Sequence, residues 1–144
     1  MAKAQITLPT KFLDALDAAT SQVDAFAAEA LKAGAAVVEP RMRTNLTGAI
    51  GHSKRPSQST GQLLAALGTS PVGATSKGTI NIKIGFAENR RDGTSHAKIA
   101  TILEYGSSRQ QPRPFLAPTR AQTRTAAVKA MKQTMATKFG GISP

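Results

Sequence analysis

Between residues 10 and 39, apolar or small side chains fall at Phe12, Leu16, Ala19, Val23, Phe26, Ala30, Ala33 and Val37. Steps of three and four put them on one face of a helix, and the chain's own sheet is the expected partner of that face. Thr10 is a candidate N-cap behind Pro9, Asp14 and Asp17 lie near the positive end of the helix dipole, and Pro40 is expected to stop the helix. Gly34 is its weak point, since an interior glycine lowers helix stability by about 1 kcal/mol relative to alanine. Residues 41–61 are polar, basic and interrupted by glycine and proline, which predicts a flexible basic loop at about 41–59. Ser59 or Thr60 is then placed to cap a short helix over 61–67, ended by Gly68.

Residues 79–86 alternate, with Ile80, Ile82, Ile84 and Phe86 on one face of a half-buried strand, and Val72 falls in the other arm of its hairpin. Residues 96–105 form a dense apolar segment that fits helix or strand equally and ends at Gly106. A final helix is predicted from about residue 118 to 139, where Ala121, Val128, Met131, Met135 and Phe139 share a face and Arg124 and Lys132 border it. The expected fold is α+β in a single domain over 1–144. It has a long N-terminal helix, a small mainly antiparallel sheet and a long C-terminal helix packed on that sheet.

The most distinctive local feature is the run A-K-I-A-T-I-L-E-Y-G-S-S-R-Q-Q-P-R-P-F-L-A-P from Ala97 to Pro118. Its prolines fix their own φ and hold Gln111, Arg113 and Ala117 extended, so the segment reads as a stiff basic loop that presents Phe115 and Leu116 for docking. Glu104 is a candidate ion-pair partner for Arg109 or Arg113 of the same or an adjacent subunit, the alternative being a plain surface acid, and Tyr105 and Phe115 are candidate interface anchors, with a core role open for Phe115.

Composition narrows the function. Only 4% of the residues are aromatic, so the core is aliphatic and alanine-rich, and oligomerisation is a natural supplement to its stability. The absence of cysteine excludes disulfides, thiolate metal sites and a cysteine nucleophile. No signal peptide or membrane-spanning apolar run is expected. The net charge is +11, unevenly spread: residues 40–87 and 105–144 carry no acid, whereas five of the eight acids lie in the first 39 residues. An acidic leading helix and a basic remainder fit either contact with nucleic acid or head-to-tail pairing between copies. Arg41, Arg43, Lys54 and Arg55 are the candidate contacts to DNA or to a neighbouring subunit. Interleaved aromatics for base stacking and a recognisable DNA-binding motif are missing.

Nothing anchors a catalytic or cofactor site. His52 and His96 stand in polar, turn-rich contexts without metal-ligand spacing and are expected to be solvated. No pair of acids invites acid/base work, and G-x-S-x-G, Walker and G-x-G-x-x-G patterns are absent. No enzyme activity and no cofactor are expected.

The order of motifs resembles the family of tailed-bacteriophage neck proteins that join head to tail. The resemblance is carried by Ser59-Thr60-Gly61-Gln62-Leu63, similar to the family's T-G-x-L segment, and by Glu104-Tyr105-Gly106-Ser107 within an A-x-x-x-E-[FY]-G-[ST] pattern beginning at Ala100. Arg113-Pro114-Phe115-Leu116-Ala117-Pro118 follows, similar to x-P-F-L-x-P, and then the terminal helix. The chain departs from the family in the basic insertion from Arg41 to Ser59 and in lacking Pro-x-Asp before T-G-x-L. The resemblance implies a structural virion protein that forms a homo-oligomeric ring, of six copies or a multiple. Such a ring stands between head-closure and tail-terminator or tube proteins, with DNA passing through its lumen. The rival reading is a small basic nucleic-acid-binding protein.

Overall fold

Pro40 does not end the first helix. In the computed structural model, which describes residues 10–51, 61–86, 89 and 92–140, helix α1 runs without a break from Thr10–Gly51 with Pro40 inside it. An interior proline removes one helical hydrogen bond and crowds the preceding turn. Here the following turns are anchored by tertiary contacts: Met42 and Leu46 are core residues, and Asn45 donates to Thr119 Oγ1 at 2.9 Å and Gln122 Oε1 at 3.2 Å. Residues 41–51 of the expected loop are therefore helix, and the rest of it, like His52, Ser59 and Thr60, lies outside the described residues.

After the short helix α2, Gln62–Ala66, four short strands follow: β1, Leu67–Thr69; β2, Gly73–Ala74; β3, Ile80–Asn81; β4, Ile84–Phe86. Antiparallel pairing of β1 with β4 sets Leu67 opposite Phe86, while β2 with β3 sets Gly73 opposite Asn81. The alternating segment is thus two strands of one interrupted hairpin. Three residues, Ser70 to Val72, separate β1 from β2, but two, Ile82 and Lys83, separate β3 from β4, so the register shifts by one at a bulge. Pro71 lacks the N–H a ladder needs, and the gap is bridged by Ser70 N–H donating to Lys83 O at 2.7 Å and Lys83 N–H donating to Ser70 Oγ at 3.0 Å.

The ambiguous segment is helix α3, His96–Tyr105, started by Ser95, whose side chain accepts from Lys98 N–H. Helix α4, Leu116–Gly140, completes the α+β architecture. Its resting place differs from expectation, because α4 runs antiparallel along α1 instead of lying chiefly on the sheet. Phe26 meets Phe139 edge-on at 5.5 Å between centroids, Met131 lies against Gly34, and Asn45 reaches Thr119. A Cβ built on Gly34 would stand 2.9 Å from Met131 Cγ, so the glycine read as a helix weakness is what lets the two helices approach. The buried face of α4 is Thr119, Thr123 and Ala127, and Val128 and Phe139 of the predicted apolar face are exposed. Each buried threonine donates its hydroxyl to a carbonyl one turn back, Phe115 O and Thr119 O, which removes the penalty of burying it. The main core lies at the other end of the helix pair, where Met42, Leu46, Leu63, Leu67, Ala100, Leu103 and Phe115 pack together.

Candidate functional site

Helix α4 begins without a cap of its own. Phe115, the residue before Leu116, offers no side-chain acceptor for the free N–H groups of the first turn. Those donors are the N–H groups of Phe115, Leu116 and Ala117; Pro118 has none, and Thr119 N–H already reaches Phe115 O at 3.3 Å. Glu104, from the last turn of α3, satisfies all three. Its Oε2 accepts from Phe115 at 2.7 Å and Leu116 at 2.8 Å, and its Oε1 accepts from Ala117 at 3.0 Å. The carboxylate also sits at the positive end of the α4 dipole. Burial pushes its pKa up, but the three backbone donors push harder the other way, and the group lies below its ordinary value.

The loop between the two helices is shaped to deliver this contact. Gly106 has φ +80°, and a Cβ there would stand 2.8 Å from Pro112 Cδ and 2.9 Å from Gln110 O, so both conformation and space require glycine. Ser107 and Gln110 pair across a tight hairpin, Arg113 N–H donates to Leu103 O at 2.7 Å, and Phe115 is buried edge-on to Phe86 at 6.3 Å. E-Y-G-S and R-P-F-L-A-P are therefore two halves of one latch.

This geometry corrects the docking roles assigned from sequence. Phe115 is a core residue, 0% exposed, and no docking tip. Glu104 is buried on backbone donors, is no surface acid, and does not pair with Arg109 or Arg113 within the chain. Among the described residues the ion pairs are Lys32–Glu29 and Arg43–Glu39. What the latch presents outward is Tyr105, 75% exposed, and Arg109, beside a shallow hollow lined by Tyr105, Ser108, Arg109 and Pro112. Leu116 lies at the edge of exposure and Arg113 is half-buried.

The basic candidates divide in the same way. Arg43 is a structural clamp: besides Glu39, its guanidinium donates to Leu64 O at 3.1 Å and Leu67 O at 3.0 Å, tying α1 to the α2–β1 turn. It is held by the fold and is not a loop base following a phosphate backbone. Arg41 is exposed on α1, and Lys54 and Arg55 lie outside the described residues. His96 is buried at the start of α3 and its Nδ1 has no hydrogen-bond partner, contrary to the solvated histidine expected.

Sequence reasoning missed Glu104 as the acceptor for α4 and Arg43 as a clamp. A signal for the first was present: a helix that opens F-L-A-P has no Ser, Thr, Asp or Asn to cap it, so an acceptor must come from elsewhere. No signal in the one-dimensional pattern pointed to the second. Among the described residues there is no cluster of His, Cys, Asp or Glu able to hold a metal ion, and no helix long and apolar enough to cross a membrane. The chain matches no protein-family model, no curated protein and no solved structure.

Proposed function

We propose that the chain is a structural, non-enzymatic subunit of a tailed-phage neck. In this reading it forms a homo-oligomeric ring between the head-closure and tail-terminator or tube proteins, acts in the virion, and leaves a lumen for DNA. The observation that carries the reading is the closure of E-Y-G-S onto R-P-F-L-A-P through Glu104, which gives a physical task to both motifs of the resemblance and to the distance between them. The latch fixes Tyr105 and Arg109 at a rigid tip, so docking this tip on a neighbour orders little further chain. The basic faces of the fold meet acidic neighbours or passing DNA.

The test is complementation of particles lacking this chain with a Tyr105→Ala, Arg109→Ala double variant, scored by electron microscopy. Heads and tails that remain unjoined support the reading. Normal joining removes the tip from the function. The rival, a nucleic-acid-binding protein, draws on the five bases and no acids of α4. It requires the free chain to bind DNA tightly, with an affinity that falls steeply with salt.

A further inference from the structure

Among the described residues, nothing packs on the first part of α1. Phe26 already meets Phe139 near the end of α4, so residues 10–25 extend past the helix they would pack on, about 24 Å of projecting helix. Every side chain described in this arm is exposed, including Leu13, Leu16 and Val23. Leu13, Leu16, Thr20, Val23 and Ala27 follow one another at steps of three and four, the spacing of a helix-pairing seam, with Asp17 and Asp24 along its border. Single exposed apolar residues are ordinary, but a continuous seam on a projecting helix is not.

A second, more basic strip lies on the outer side of α4. Ala121, Thr125, Val128, Lys132 and the half-buried Met135 recur at steps of four and three, away from the buried Thr119, Thr123 and Ala127, and Arg124 borders them. The charges are opposite: Asp14, Asp17 and Asp24 against Lys11 on the arm, five bases and no acid on α4.

We infer that the arm of one copy docks on the outer face of α4 of a second copy. Arm-to-arm pairing would set acids against acids, and α4-to-α4 pairing bases against bases, so the complementary arrangement is head-to-tail. Such a contact leaves one arm and one α4 face free at the two ends of every pair, and repetition closes a ring or extends a filament. This specifies the contact for the ring proposed above and rests on that reading only for its biological setting.

The experiment is sedimentation velocity on the purified full chain, at low and high salt, with far-UV circular dichroism to confirm folding. Wild type is expected to self-associate, less so at high salt. Leu16→Lys with Val23→Lys abolishes association, and Asp17→Lys with Asp24→Lys, or Arg124→Glu with Lys132→Glu, weakens it about tenfold or more. The chain carrying all four charge reversals recovers association. The inference is overturned by a chain monomeric at every concentration, by reversals that associate as wild type does, or by failure of the fourfold variant to recover. Whether the chain joins heads to tails is read separately by the particle complementation, so the two proposals fail independently.

Discussion

Glu104→Gln isolates the latch, because it keeps the shape of the side chain and removes only its charge and one acceptor. In the wild type, Oε2 serves two N–H groups and Oε1 one, at 2.7, 2.8 and 3.0 Å, and Glu104 is 6% exposed, so solvent screens these bonds little. With the amide oxygen turned toward Phe115 and Leu116, the NH2 group faces the N–H of Ala117, donor against donor. One bond is lost and two are weakened from charged to neutral, a loss of about 1–3 kcal/mol. Glu104→Ala leaves all three donors without an acceptor and opens a void, for about 3–5 kcal/mol. Urea unfolding followed by far-UV circular dichroism at neutral pH measures both, with the slope checked for constancy. The pH dependence follows from the direction of the shift. The folded-state pKa of Glu104 lies below the unfolded one, so its stabilisation is present above the unfolded value and is lost as pH falls through the folded value. The gap between wild type and Glu104→Gln should therefore narrow on acidification. A glutamine variant within about 0.5 kcal/mol of wild type at neutral pH, or a gap that widens in acid, refutes the latch as described.

Two further predictions concern the backbone. Gly106→Ala forces a Cβ against Pro112 and Gln110 at a φ that side chains rarely adopt, and should lower stability by about 2–4 kcal/mol in the same urea assay; a neutral substitution would show that the loop has another route. Pro40→Ala restores a helical hydrogen bond at an exposed position inside α1 and should raise stability by about 1–3 kcal/mol, seen as a higher unfolding midpoint, whereas a loss would mean that the proline sets a bend the packing needs.

The secondary structure was largely legible along the chain where local chemistry and periodicity agree. The long first stripe and the glycine that ends α3 mark elements that are there, and the alternation around Ile80 to Phe86, read as one strand, marks a region that the fold divides into β3 and β4. Pro40 misled because a local rule was overridden: Met42, Leu46 and Asn45 bind the second half of α1 to the core and to α4 strongly enough to carry the helix past the proline. The face of α4 misled for a related reason. Val128 and Phe139 outrank Thr119 and Thr123 in hydrophobicity, but the threonines stand where α4 meets the core end of α1 beside Asn45, and hydroxyls that bond back to their own helix are buried at little penalty.

The candidate site divides along the same line. That E-Y-G-S and R-P-F-L-A-P belong together was readable, as was Gly106 as the end of the element before the loop. That Glu104 faces inward to the head of α4, that Phe115 is core, and that Tyr105 and Arg109 are left outside depends on where a hairpin of several residues places its two ends. Periodicity and propensity act over one or two turns and mark most elements along the chain, but the extension of α1 past Pro40 and the choice of helix for residues 96–105 came from the tertiary fold. Which donor meets which acceptor across a loop is decided only when the whole core packs, because a buried N–H takes the partner that the tertiary fold brings within 3 Å.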